Sequence, residues 1–257
     1  MLLRRITKHV KDQNWFAVAL DFIIVVFGVF IGIQVANWNE YRADRQLGAN
    51  YTQRLISDLQ EDLEVRQWLS SYFGDVLSSV QEADRLLSES DPDMEALIVA
   101  VYRASEYNAS AMKRATWNEI VSVGHLGLLS DTAIKSGIAD YFEDIDQELS
   151  YNIRLFDSPY RATVRSLIPL PVQLAFRDGC SDVIDDAGNV KGFVGNCALK
   201  LDDSVLKATA ETLKSSQAVR ETLRQHYSTL AIVIFNHESN IVLIEEYLNA
   251  LTEKDDR

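Results

Sequence analysis

Four histidines, two cysteines and an excess of carboxylates are the residues of this 257-residue chain whose types suit chemistry. His9, His125, His226 and His237 are spread along the sequence. His226 and His237 fall on one helical stretch, three turns apart and about 16 Å along its axis, too far to share a metal ion. No HExxH or CxxC pattern is present, so the usual zinc-ligand spacings are missing. His237 lies on an apolar stripe, where a hydrogen-bonded structural histidine is the expectation. His125 follows Gly124 at a helix end, where a cation suits the helix dipole. The chain contains no GxSxG, Walker or dinucleotide motif. A Ser-His-Asp set can be assembled from any chain of this length and so has no weight. The expectation is no metal, no cofactor and no enzymatic activity.

Cys180 and Cys197 enclose the segment CSDVIDDAGNVKGFVGNC. In an oxidising compartment the two pair, and the bridge adds about 3 kcal/mol in the chain-entropy model. In a reducing compartment they are two buried thiols. Gly188-Asn189 stands between two short β-prone pieces, which predicts a small hairpin or loop closed by the bridge. Asp182, Asp185 and Asp186 raise the question of calcium, but their spacing departs from the D-x-[DN]-x-[DN]-G loop, and turn chemistry accounts for them.

One element dominates the placement of everything else. The run FAVALDFIIVVFGVFIGIQVA, residues 16–36, is apolar apart from Asp21 and Gln34, and about 20 helical residues cross a bilayer core of about 30 Å. Trp15 and Trp38 bracket it as an aromatic belt would. Arg4, Arg5, Lys8 and Lys11 precede it, which places the N-terminus in the cytoplasm. The run is longer than a signal-peptide core and no small-x-small site follows it, so it reads as an uncleaved anchor. The organisation is a cytoplasmic segment of residues 1–14, a transmembrane helix at 15–38 and a helical domain beyond the membrane at 39–257. Asp21, Val25, Gly28, Gly32 and Val35 share one stripe of the anchor. Gly28 and Gly32 form a GxxxG pair, which lets a second helix approach closely. Asp21, Gly28 and Gly32 are therefore the candidate contact face for another copy or another membrane protein. The competing reading is that glycine is common in such helices and that Asp21 reaches the interface from its end of the span.

The rest of the chain predicts an all-α fold. Val65, Leu69, Phe73, Val76, Val80, Ala83 and Leu87 recur by four and three along a long helix ending near Ser88. Ser90 or Asp91 is expected to cap a second helix over 94–107. Thr116 and Glu119 fit a capping box for a short helix ending at Gly124. A long helix is expected from Ser130 or Asp131 to Phe156, with Ile134, Ile138, Tyr141, Ile145 and Leu149 inward. Another runs toward Ile168, where Pro169 and Pro171 end it. After the cysteine segment come helices over 203–214 and 217–251, the latter with Leu230, Ile234, His237, Ile241, Ile244, Leu248 and Leu251 on one face. LAIVIF, residues 230–235, is apolar all round and predicts deep burial. Long helices with short connections make an antiparallel bundle.

The net charge of −13 argues against nucleic acid as a partner, because phosphate binding needs clustered cations. Gly28-Val29-Phe30-Ile31-Gly32-Ile33-Gln34, Asn37-Trp38-Asn39-Glu40, the helix with Leu55, Leu59, Asp62 and Leu63, and the segment Trp117–Ser130 together resemble a bacterial single-pass membrane protein family, domain of unknown function 6090. The resemblance implies an inner-membrane protein with a periplasmic helical domain, and the periplasm favours the disulfide. It implies no activity. The functional expectation is a membrane-anchored periplasmic interaction module, an oligomer or an accessory subunit. The alternative is a ligand-sensing bundle that signals through a partner, since 14 cytoplasmic residues are too few for an output domain. A hydrolase or metalloenzyme is the third reading, and no motif supports it.

Overall fold

The computed structural model describes residues 15–184 and 190–252, without the side chains of residues 15–18, Asp21 and Asp146. Arg4, Arg5, Lys8, His9 and Lys11 lie outside the described residues, as do Asp185, Asp186 and the Gly188-Asn189 turn. The chain divides into two units, Met1–Tyr51 and Thr52–Arg257. Helix α1 is Trp15–Ser88. In the first unit it carries the apolar run, in which the side chains of Leu20 and of residues 22–35 are exposed. Arg42 lies over the Trp38 ring and Arg45 over the Tyr41 ring, each one helical turn along, the geometry of cation–π pairs.

The second unit is helical apart from one hairpin. Its part of α1 buries Leu55, Leu59, Asp62, Arg66, Leu69, Phe73, Val76, Val80, Ala83 and Leu87, alternating by four and three as a helix lining a core must. The expected stripe is right from Leu69 onward. Further back it passes through Arg66, and Val65 is only partly buried.

Helix α2, Met94–Arg103, is capped by Asp93, whose side chain accepts from Ala96 N–H; neither Ser90 nor Asp91 does this. It stops short of Tyr107 because Ala104 closes it and the Ser105 hydroxyl turns back to the Tyr102 carbonyl. Helix α3, Ala115–Ser122, has Arg114 at its N-cap and no side-chain cap. The expected capping box does not form. Thr116 is buried inside the helix, and Glu119 ion-pairs with Arg54 at 2.6 Å. Gly124 ends α3 as expected: at φ 75° it lets its own N–H reach Val121 O and the His125 N–H reach Ile120 O, the Schellman pairing.

The long helix expected from Ser130 is two helices after a 3₁₀ turn at Leu126–Leu128. Ser130 caps α4, Asp131–Lys135, and Gly137 at φ 87° starts α5, Ile138–Phe156. The expected face is only partly right on either side of the break. Ile138, Tyr141 and Phe142 are buried, whereas Ile134 and Leu149 are exposed. Ser158 caps α6, Pro159–Leu167. Pro169 and Pro171 then open a further helix, α7, Leu170–Gly179, because proline fits the first turn, where N–H groups have no helical acceptor. Strands β1, Asp182–Ile184, and β2, Val190–Phe193, pair antiparallel with Asp182 opposite Phe193 and an irregularity between Val183 and Ile184. Helices α8, Asp203–Ser215, and α9, Gln217–Thr252, complete the unit. Helix α9 packs on α4, α5 and α6, and α2 packs on α6 and α8. LAIVIF is not buried all round: Leu230 and Val233 face the core, while Ile232 and Phe235 are exposed.

Candidate functional site

The 4-3 stripe of α1 turns two charged side chains into the bundle. Arg66 has no exposed side-chain surface. On α5, Tyr141 and Glu148 are two turns apart and so share a face. On α9, His237 and Asn240 do the same at a spacing of three. Arg66 donates two hydrogen bonds to Glu148, Nη1 to Oε1 at 2.8 Å and Nη2 to Oε2 at 2.9 Å, a fork-to-fork pair. Its guanidinium also lies over the Tyr141 ring. The Tyr141 hydroxyl donates to Asp62 Oδ2 at 2.9 Å, and the Lys113 N–H donates to Asp62 Oδ1 at 2.8 Å. Asn240 Nδ2 donates to Glu148 Oε2 at 3.3 Å. His237 stacks on Phe73 with its Nδ1 3.5 Å from Glu148 Oε1, outside hydrogen-bond geometry. The expected hydrogen-bonded histidine is thus a packed one held beside a carboxylate.

Burial sets the charge states. It pushes the His237 imidazole down to about 4, against the Glu148 charge, with Arg66 adding to the depression. It raises the Asp62 carboxyl above its ordinary value, against the Lys113 and Tyr141 hydrogen bonds and the Arg66 charge. It opposes the Arg66 charge too, but the Glu148 hydrogen bonds and the surrounding charges leave that guanidinium more firmly protonated than usual. At neutral pH His237 is therefore neutral and Arg66 charged. The network ties α1, α5 and α9 together.

A groove of about 310 Å³ opens above it between α5 and α9, walled by Asp144, Glu148, Tyr151, Asn236, Ser239 and Asn240. Amides, a hydroxyl and carboxylates line it, so it suits a small polar ligand that can donate hydrogen bonds. Among the described residues no three His, Cys, Asp or Glu side chains converge as metal ligands would.

The residues singled out in the sequence fall in separate places. A Cβ built on Gly28 or Gly32 meets nothing within 4 Å, and Val25 and Val35 are exposed. Asp21 is within α1, with its side chain outside the described residues. Cys180 and Cys197 form a disulfide, with Cα atoms 4.7 Å apart. His226 is buried against Tyr160 and is also pushed down to about 4, by burial above all. Asp62, Arg66, Glu148 and Asn240 were not among the expected site residues. The signal for the first two was there, since extending the α1 stripe backward from Leu69 by three and four lands on Arg66 and Asp62.

Residues 21–200 match a protein family described as a family of unknown function, DUF6090. The chain belongs to DUF6090. The matched range of this DUF6090 protein takes in most of the apolar run, Asp62, Arg66, Tyr141, Glu148 and both cysteines. It stops before α9, so His237 and Asn240 lie beyond it. No curated protein and no solved structure matches the chain. One helix among the described residues is long and apolar enough to cross a membrane.

Proposed function

We propose that this DUF6090 protein is a membrane-anchored helical interaction module of a bacterial inner membrane, with its N-terminus in the cytoplasm and its bundle in the periplasm. It works by association, as a homo-oligomer or as an accessory subunit of a membrane complex, and not as an enzyme. The observation that carries this reading is the apolar stretch of α1, whose side chains over residues 22–35 are exposed and whose Gly28–Gly32 face is open to a partner helix. The Arg42–Trp38 and Arg45–Tyr41 pairs support it, because amphipathic rings and cations belong at the edge of an apolar span. The Cys180–Cys197 bridge supports the periplasmic side, since disulfides persist in oxidising compartments.

The test replaces Gly28 and Gly32 with Leu and follows association of the full chain in membranes by cross-linking. Loss of the cross-linked species is expected, and unchanged cross-linking would refute the face. Topology is tested separately by adding protease to spheroplasts. The bundle should be digested without lysis, and protection would refute the periplasmic placement.

The α5–α9 groove favours a second reading, a ligand-sensing bundle that signals through a partner protein. A raised melting temperature with a small polar ligand, lost on substituting Asn236, would favour it over the first.

A further inference from the structure

Helices α2, α6 and α7 and the disulfide-closed hairpin line a half-open cavity of about 130 Å³. Four arginines stand at it, Arg103, Arg161, Arg165 and Arg177, against two carboxylates, Glu106 and Asp182. The balance is two positive charges, in a chain whose net charge is −13.

The guanidinium groups are held in place. The Arg165 guanidinium lies 3.5 Å from the Tyr102 ring centre, and Tyr102 in turn stacks on Phe176 at 3.8 Å. Its Nε donates to the Ser105 hydroxyl at 3.1 Å. Arg103 lies over Phe193 and donates through Nη2 to the Val194 carbonyl at 2.6 Å. Arg161 donates through Nη1 to the Ser105 carbonyl. Stacking and backbone contacts remove most of the rotamer freedom that an arginine otherwise loses on binding.

Donors are left over at this place. Arg103 Nε is buried with no acceptor. Arg165 Nη2 sits 3.0 Å from Glu106 Oε1 without hydrogen-bond alignment. The Tyr72 hydroxyl, on a side chain that is 1% exposed, has no partner. Its ring packs edge-on against Phe193 of the cavity wall, and burial above all, with the Asp182 and Glu106 charges, holds the phenol protonated. A buried donor without an acceptor costs about 1–3 kcal/mol, and here every such group is a donor. Burial also holds the Arg103 and Arg161 guanidinium groups below their ordinary values, with Arg165 adding to the effect on Arg161. An anion would relieve both penalties.

We propose that this cavity is a binding site for a small oxyanion, a carboxylate or phosphate-type group gripped by Arg103, Arg161 and Arg165. Planar guanidinium forks match the oxygen pairs of such groups. The volume corresponds to about four waters at roughly 30 Å³ each, well below the roughly 300–1,000 Å³ of pockets for larger ligands. The site therefore has room for one anionic group. The hairpin supplies Asp182 and Phe193, and Cys180 lines the wall, so the disulfide holds one side of the site. The inference is independent of the membrane reading.

The test is calorimetric titration of the full-length protein in detergent, disulfide intact, with sulfate, inorganic phosphate and succinate in chloride of matched ionic strength. Saturable one-to-one binding of at least one probe is expected. The probe that binds best tells a tetrahedral anion from a carboxylate. Arg103→Gln should weaken binding at least tenfold and Tyr72→Phe several-fold. Arg85→Gln, which removes only an exposed arginine paired with Glu82 and Glu89, should leave it unchanged. Where Arg103→Gln fails to fold by circular dichroism, Tyr72→Phe, which loses a single hydroxyl, decides. Absence of saturable binding for all three probes would overturn the proposal, as would equal weakening by Arg85→Gln or binding indifferent to the pocket variants.

Discussion

Arg66 on α1 and Glu148 on α5, 82 residues apart in sequence, meet in a two-bond ion pair at 2.8 and 2.9 Å. Neither partner has much contact with water: the side chains are 0% and 10% exposed. Every acceptor direction matters in such a place. Glu148 uses one oxygen for Arg66 and the other for Arg66 and Asn240, so α1, α5 and α9 are fixed in relative register by one carboxylate. A hydrophobic trio of the same volume would hold the helices at least as tightly. What the ion pair adds is selectivity against slipped arrangements, because a shift of one turn leaves a buried charge alone.

Breaking the pair from one side should be costly. Glu148→Ala leaves the Arg66 guanidinium buried without its counter-charge, and the expected loss is about 3–5 kcal/mol. Arg66→Met removes the charge but strands the Glu148 carboxylate, with a loss of similar order. The double variant should lose less than the sum of the two. Urea denaturation of the three variants checks this, and strict additivity would show that the pair is not coupled.

Stability should fall with pH in a defined window. The folded His226 and His237 values of about 4 lie below the ordinary 6.5. Between those limits the unfolded chain binds more protons than the folded one. The contribution is therefore complete above about pH 6.5 and is lost as pH falls toward 4. Each histidine accounts for about 3 kcal/mol at most. Asp62 acts in the opposite sense at the acid end, because burial raises its folded value and protonation relieves it. Urea midpoints at pH 5 and 7.5 should differ for the natural chain and converge in a His226→Leu, His237→Leu double variant. A double variant as pH-sensitive as the natural chain would rule the histidines out as the cause.

Much of this was legible in the sequence, and the failures share one cause. Periodicity located the inward face of α1 from Leu69 to Leu87, and on α9 it found Leu230, His237, Ile244 and Leu251, while Val233 and Tyr247 are buried where Ile234 and Leu248 were expected. A stripe of apolar residues does not by itself mark Arg66 and Asp62, which stand at the same spacing, as buried. Tertiary partners make a buried charge acceptable, and a single chain read along its length does not display Glu148 or Tyr141 as neighbours. Gly137 and Pro171 are local signals of the other kind. A left-handed glycine split an expected helix, and a proline read as a stop was the first turn of α7. Ile232 and Phe235 show that an apolar run need not be buried on all sides. The arginine cavity was hidden for the same reason as the ion pair: Arg103, Arg165 and Asp182 come from three distant segments.

The disulfide should contribute measurably to the fold. Both cysteines of the chain are in the bridge, so thiol titration should give none before reduction and two after it in denaturant. A loop of 17 residues predicts a stabilisation of about 3 kcal/mol. Cys180→Ser with Cys197→Ser should lower the urea midpoint accordingly. It should also weaken oxyanion binding, because the hairpin that carries Asp182 and Phe193 is no longer held. A midpoint unchanged by the double substitution would mean that the hairpin is fixed by packing alone.

The hairpin also depends on one glycine. Gly192 sits at φ 139°, a region side-chain-bearing residues rarely adopt, and a Cβ there would lie 2.8 Å from Asp75 Oδ2. It pairs with Val183 beside the irregularity in the strand register. Gly192→Ala thus meets strain and a close contact together, and a loss of about 1–3 kcal/mol is expected. Gly195, three residues on, has an ordinary backbone and open space at its Cβ position. Gly195→Ala should leave stability within about 1 kcal/mol of the natural chain, on the favourable side where reduced freedom of the unfolded chain dominates. Paired urea melts of the two variants separate backbone strain from a general intolerance of substitution in this segment. Equal losses would favour intolerance, and a loss confined to Gly192→Ala would favour strain with the Asp75 contact. Asp75→Ala in the Gly192→Ala background then divides the two remaining terms, because it removes the contact and leaves the φ angle as it was.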